Sequence, residues 1–224
     1  MSRIACVAAP RLARRRLQRD PRDFYHGLLD HSMFLRKVAP GIELRMFELK
    51  DAETVFAVVE RNRAYLRQWL PWVDFTSSPE QIRNFIVRVR NQFETSRGPQ
   101  TGIWIDGEFG GSVGCHPIDW PNKNCSIGYW IEERHQGKGI MTRCCESMLD
   151  YVFDELGLHR VTIQCGVLNT RSCAIPQRLD FTREGVTRDG EWVNDRWLDL
   201  VCWGMLEKDW RARRDAGPAK STPR

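Results

Sequence analysis

Two glycines, Gly137 and Gly139, stand in the stretch ERHQGKGIMTRCCESML, between a segment of alternating apolar residues and an amphipathic one. A strand that gives way to a helix in this manner leaves the first helical N–H groups, here those around Ile140, Met141 and Thr142, without intrahelical acceptors. Glycine permits positive φ and a close approach of the main chain, and the helix dipole adds a favourable field. A pyrophosphate is therefore the natural ligand, with Lys138 adding charge at its rim. Two glycines before a helix also occur in ordinary turns, so the anion reading needs a second signal. The chain has no Gly-x-x-x-x-Gly-Lys-Ser/Thr, and no Gly-x-Gly-x-x-Gly after its first predicted strand, which counts against the usual ATP and dinucleotide loops.

Other residues with chemical potential are scattered. Asn169 closes TIQCGVLN and Ser172 opens the next short helix, which is ordinary capping chemistry. Glu191, in DGEWVND, has Trp192 and Trp197 as neighbours that could raise its pKa by desolvation, although glutamates in β-connections are usually solvated. Glu132, Glu133 and Asp195 are rivals for any base role. RQWLPWVDFT gathers Trp69, Trp72 and Phe75 around a proline, as either cleft or packing residues. The eight cysteines include no Cys-x-x-Cys pair and no Cys/His set at zinc-ligand spacing, so they read as reduced thiols, with Cys144 and Cys145 on different faces of one helix. Neither Cys165 nor Cys173 has a histidine close in sequence to activate it as a nucleophile. The five histidines are dispersed, and His135 in the glycine segment reads as touching phosphate or, more simply, solvent.

The elements that must position these residues follow from periodicity. Residues 1–32 are expected to form a flexible basic arm, since the first 22 carry seven arginines against one aspartate, and residues 211–224 a similar tail. Much of the formal charge of +5 lies in these ends. The globular fold is expected over 33–210, and Met33 is an alternative start. Ile42, Leu44 and Met46 alternate as a first strand, AETVFAVVERNRAYLRQWL repeats as one helix stopped by Pro71, and Ser78-Pro79 opens another. Strands follow at TGIWID, GGSVGCHPID and CSIGYWI, then the glycine segment with a helix to about Glu155. RVTIQCGVL, a short helix through Leu179, and the strands FTREGVTR and RWLDLVCWGML complete the chain. Helices before, between and after strands give an α/β fold with a mixed, mostly antiparallel sheet. No apolar run is long enough to cross a bilayer and no signal peptide precedes the fold, so a cytoplasmic protein without membrane contact is expected.

The segment Arg134-His-Gln136-Gly137-Lys138-Gly139 resembles the Arg/Gln-x-x-Gly-x-Gly/Ala pyrophosphate loop of the GCN5-related N-acetyltransferase (GNAT) superfamily. IGYWIEERHQGKGIMT, GLHRVTIQCGVLNTRSCAIPQRLDF and NRAYLRQWLPWV are similar to its ribosomal-protein N-terminal acetyltransferase (RimJ/RimL) branch, over roughly residues 33 to 210. The resemblance implies a seven-stranded sheet splayed between its fourth and fifth strands, and acetyl-coenzyme A as co-substrate with no metal. It places Ile127, Gly128, Tyr129, Trp130 and Ile131 beside the pantetheine arm and thioester, and Arg134, Gln136, Gly137, Lys138, Gly139, Ile140, Met141 and Thr142 around the pyrophosphate. It sets Asn169 against the coenzyme arm, Ser172 as the group that protonates the leaving thiolate, and Glu191 as the base that takes a proton from the substrate ammonium. Trp69, Trp72 and Trp192 border the acceptor. Asp180 departs from the family, which has glycine there, although aspartate also accepts that turn conformation. No tyrosine lies near the short helix in sequence, so Ser172 takes the acid role by default, and direct transfer is preferred over an acyl-cysteine.

The implied acceptor is a protein N-terminal α-amine, of ribosomal-protein type; the alternatives are a small amine such as a polyamine, amino sugar or antibiotic, a coenzyme A sensor without catalysis, or an RNA-docking module. A homodimer is possible by analogy. The arginine arm lacks an aromatic stacking platform, so any nucleic-acid contact there would be weak and salt-sensitive.

Overall fold

The computed structural model describes residues 34–216. The basic arm, Met33 and the last eight residues lie outside the described residues. The sheet has eight strands rather than seven, in the order β1-β2-β3-β4-β5-β6-β8-β7. They are β1 (Leu35–Ala39), β2 (Ile42–Met46), β3 (Gln100–Ile105), β4 (Glu108–Cys115), β5 (Asn124–Ile131), β6 (Arg160–Gly166), β7 (Thr182–Val193) and β8 (Arg196–Leu206). The additional strand is β1, which turns back through Pro40 and Gly41, at φ 73°, to pair with β2. Its apolar residues, Leu35, Val38 and Ala39, do not alternate with polar ones, so a period-2 reading has nothing to find there. All neighbours are antiparallel except β5 and β6.

Helices cover both faces. On one, α1 (Ala52–Arg61) buries Ala52, Val55, Val58 and Val59, and α3 (Pro79–Glu94) buries Ile82, Ile86, Val89 and Phe93. Most of these residues pack with Phe47, Trp104 and Phe109 of the sheet side. Ser78 caps α3 in a reciprocal box with Gln81, and Pro79 takes the first helical position, where its missing N–H costs nothing. On the other face, α4 (Ile140–Asp150) buries Met148 and Leu149 against Leu44, Ile103 and Val113. It runs into a single π-turn, Tyr151–Glu155, before β6. Cys144 and Cys145 are both buried in this core.

Two helices end differently from the sequence expectation. The long helix expected before Pro71 breaks at Asn62, into α1 and a single turn, α2 (Arg63–Leu66). The buried Asn62 amide donates to Val58 O at 2.8 Å and accepts from Glu133 N at 3.1 Å, so it serves the turn that follows β5. The expected C-terminal tail starts inside α6 (Glu207–Ala216). Trp210 is buried there and donates to Asp150 at 3.1 Å, while Arg213 and Arg214 pair with Glu146, Asp180, Asp150 and Asp154. Its basic residues face acidic partners on neighbouring elements, a relation that local charge counting does not reveal.

Candidate active site

The parallel pairing of β5 with β6 covers only Asn124, Cys125 and Ser126 against Arg160, Val161 and Thr162. Beyond Ser126 the strands part. Ile127 to Ile131 keep their register with β4, while Ile163 to Gly166 keep theirs with β8. The facing edges of β5 and β6 therefore carry main-chain donors and acceptors with no strand between them, which suits an extended ligand with amide groups. These are the strands that the sequence counts as fourth and fifth. The fork opens into a cavity of about 790 Å³ whose walls include Ile127 to Trp130, Gln164 to Gly166, Asn169 and Ser172.

At the base of the fork, α5 (Thr170–Arg178) begins. Asn169 Oδ1 accepts from Ser172 N at 3.2 Å, so the capping role is present, and both side chains line the cavity. Ser172 Oγ lies 3.3 Å from the Tyr129 hydroxyl and 3.2 Å from Cys165 Sγ. Tyr129 also donates to Ser172 O at 3.1 Å. The expectation that no tyrosine stands near this helix is corrected here: 43 residues separate the two in sequence, and the sheet brings them together. Burial pushes the Tyr129 hydroxyl well above its usual value, so it stays protonated. Burial also lifts the Cys165 thiol to about 11, which makes it a poor nucleophile near neutrality.

The glycine segment forms the turn between β5 and α4. Gly137 and Gly139 both have φ of 71°, and a Cβ at either would meet nothing within 4 Å, so conformation rather than crowding calls for glycine. The turn is held from behind. Glu132 accepts from Arg61 Nε at 2.6 Å and Nη2 at 2.9 Å and lies 3.0 Å from Arg134 Nε, while Arg134 Nη2 reaches Glu108 at 2.8 Å. The Arg134 side chain thus pairs with two carboxylates and remains half exposed at the turn. Burial raises the Glu132 carboxyl, but hydrogen bonds from Arg61, Arg134 and Asn62 outweigh it and bring it down to about 2. A carboxylate so held is no proton acceptor. Gln136 accepts from Arg171 at 2.6 Å and donates to the Tyr65 hydroxyl, joining the turn to α5 and α2. His135 is not solvated: its ring packs against Gly110 and its side chain is 11% exposed. Lys138, Ile140, Met141 and Thr142 surround the start of α4, and Thr142 Oγ1 accepts from Arg178 at 3.2 Å.

On the acceptor side, Glu191 lies within β7 rather than in a connection, opposite Leu198, and lines the cavity with Leu198 and Leu200. Burial raises its carboxyl above the ordinary range. Trp192 points the other way along the strand, stacks edge-on against Trp197 at 5.1 Å and is half exposed. It does not line the cavity, and the two tryptophans do not enclose Glu191, which corrects both expectations. Glu132, Glu133 and Asp195 are also absent from its walls. Trp69 and Trp72 do line it: Trp69 packs over Gly166 beneath the Arg196 guanidinium, and Trp72 meets Trp130 at 6.0 Å. Arg196 also donates to Gln68 O at 3.0 Å, tying the β7–β8 hairpin to the tryptophan loop.

The structure adds two residues that sequence reasoning missed, His116 and Arg88, and brings Phe75 of the tryptophan loop to the same cavity. His116, just after β4, lines the cavity and packs over Gly128, where a Cβ would come within 2.9 Å of its Nε2. Burial lowers its pKa, so it is neutral at physiological pH. Phe75 and Arg88 also face the cavity, and Phe75 is 79% exposed. An isolated His-Pro and a helical arginine carry no local signal of a site; only the register that sets Cys115 opposite Ile127 brings His116 to the fork. Among the described residues no group of His, Cys, Asp and Glu could hold a metal ion, and no helix is long and apolar enough to cross a membrane.

A sheet that splays at one parallel pair, with a glycine turn leading into the next helix, defines an acyltransferase architecture. The acetyltransferase (GNAT) domain model matches residues 42–182, and the chain belongs to this family. It is an acetyl-CoA-dependent N-acetyltransferase. The chain is 37% identical over 183 residues to the Bacillus subtilis protein named "Putative ribosomal N-acetyltransferase YdaF", covering 81% of this chain and 100% of that protein. It is 27% identical to the Escherichia coli ribosomal-protein-serine acetyltransferase over 76% of this chain and 95% of that one. Among solved structures, RimL, a ribosomal L7/L12 α-N-protein acetyltransferase in complex with coenzyme A, superposes with a TM-score of 0.76 at 26% identity, over 79% of this chain and 99% of that one. The microcin C7 self-immunity acetyltransferase MccE, in complex with acetyl-CoA and AMP, gives 0.72 at 28% identity, over 76% of this chain and 94% of that one.

Proposed function

We propose that the acceptor is a protein N-terminal α-amine and that it meets the acetyl group in the cavity between Glu191 and Ser172. The observation that carries this reading is that both residues line one open cavity, whose walls also include the fork residues Ile127 to Trp130 of β5 and Gln164 to Gly166 of β6. The relatives named for ribosomal-protein acetylation support the same acceptor class. The fork and the turn around Gly137 to Gly139 fit acetyl-CoA: unpaired strand edges suit the amides of the pantetheine arm, and N–H groups at the start of α4 suit the pyrophosphate. When bound, the coenzyme supplies the acyl thioester.

The chain's own residues manage two protons. An ammonium must lose one to become a nucleophile, and the Glu191 carboxylate, made more basic by burial, accepts it directly or through water. Forming the amide releases a second proton from nitrogen, and the departing sulfur needs one. Ser172 Oγ, held in place by the Tyr129 hydroxyl and by its own helix cap, gives its proton to that sulfur and takes up the one that nitrogen releases, so the hydroxyl ends as it began. Direct transfer is favoured over an acyl-cysteine because the Cys165 thiol is held protonated. Replacing Glu191 with Gln tests the assignment: acetyl-CoA binding should survive while transfer to an N-terminal peptide falls. If polyamines or amino sugars are acetylated and peptides are not, the acceptor assignment is wrong.

A further inference from the structure

The cavity face of α3 is a polar stripe at helical spacing: Gln81, Asn84, Arg88 and Gln92 all line it. The two outer residues are committed. Gln81 accepts from Ser77 N and Ser78 N in the helix cap, and Gln92 donates to Gly98 O and Cys115 O, both at 2.9 Å. Asn84 and Arg88, one turn apart, have no hydrogen bond or ion pair among the described residues. The other arginines of the helix do: Arg83 pairs with Glu53 and Glu80, and Arg90 donates to Phe47 O at 3.1 Å. Arg88 is the arginine that faces the cavity, and its guanidinium rests 5.6 Å over the Phe85 ring, which steadies the plane and leaves its donors to the cavity. The charged side chains on the cavity walls, beyond the neutral His116, are Arg88 from α3 and Glu191 from β7. Aromatic surface lies around them, from Trp72, Phe75 and Trp130.

A cavity with one carboxylate and one guanidinium unpaired among the described residues matches an acceptor that carries both signs. Resting on the reading that the amine goes to Glu191, we infer that the preferred acceptor is a peptide with an acidic residue close behind its amino terminus, whose carboxylate is bound by Arg88 with Asn84 beside it. A guanidinium takes a carboxylate through two parallel N–H donors, a geometry that neither an amide side chain nor a lysine reproduces. Because Arg88 is exposed, its effect is a modest gain in acceptor affinity that salt weakens.

The test uses the full chain and matched peptides that differ only in Asp or Glu against Asn or Gln at positions two to four. Two readouts are taken: acetylation kinetics, and peptide binding in the presence of coenzyme A. The acidic peptides should show a KM and Kd about five- to tenfold lower than their amide partners, with the difference in KM rather than kcat. Arg88→Gln should abolish the difference, and Arg88→Glu should shift preference towards peptides with lysine at the same positions; circular dichroism checks that both fold. Equal binding of acidic and amide peptides by the natural protein, or a preference that survives Arg88→Gln, overturns the inference. If peptides bind but are not acetylated, the N-terminal acceptor reading fails while the binding difference still decides the role of Arg88. Peptides that neither bind nor react overturn both.

Discussion

The Tyr129 hydroxyl lies 3.3 Å from Ser172 Oγ, across the floor of a fork between strands that pair only at their other ends. Either hydroxyl alone could hand a proton to a departing sulfur; together they form one unit with Cys165 Sγ, 3.2 Å from the serine. Ser172→Ala should lower kcat about tenfold or more, and Tyr129→Phe by a smaller factor. The double variant should lose less than the product of the two, since residues in one hydrogen-bonded unit are not independent. Steady-state kinetics of the three variants check this; a product of full independent losses would separate the residues.

With Glu191 as the proposed base, its titration should set the acid side of the pH profile. Its carboxyl is raised by burial, and the ionised form is the one that accepts a proton, so kcat/KM should rise as pH climbs through a value above the ordinary 4.5. Glu191→Gln should remove that limb and lower kcat/KM by about 10²-fold. The pH dependence of both proteins with one peptide is the measurement. A retained limb in the variant would assign it elsewhere, with the neutral His116 the first alternative.

The turn into α4 makes a conformational demand at Gly139, whose φ is 71° in an otherwise uncrowded position. Gly139→Ala should cost about 1 kcal/mol of backbone strain. Part of it should appear as acetyl-CoA affinity weakened about twofold in calorimetry, because N–H groups at the helix start are displaced together.

Glu132 anchors that turn to Arg61 and Arg134. Its pKa is depressed from about 4.5 to about 2 on folding, so its contribution to stability is present above pH 4.5 and is lost as pH falls towards 2. Glu132→Gln should lower stability by about 1–2 kcal/mol at pH 7, discounted because both arginines are half exposed. The difference should narrow towards pH 3 in urea titrations.

The helices, most strands and the glycine turn were legible because each is written in local periodicity or in a residue type with a local task. Asn169 and Ser172 were legible for the same reason, as a cap and the first turn of a helix. What stayed hidden depends on pairing across the sheet. Tyr129 meets Ser172 only because β5 and β6 diverge, and His116 reaches the fork through a register that no short window encodes. Trp192 was misplaced because Glu191 sits in a strand, where neighbours face opposite sides. Asn62, an unremarkable residue in a helical repeat, breaks that helix because its amide holds Glu133 across 71 positions. Asp180, by contrast, adopts φ 60° as the turn argument anticipates, and also pairs with Arg213 of α6.

The central claim is that one cavity, walled by Glu191 and Ser172, moves an acetyl group to a peptide amino terminus. Mass spectrometry of a panel of N-terminal peptides and small amines, incubated with acetyl-CoA and either the natural protein or Glu191→Gln, tests it most directly. A single added acetyl on the α-amine of peptides is expected, largely lost in the variant while coenzyme binding persists. Acetylation of small amines alone, or of peptides at full rate by the variant, would contradict it.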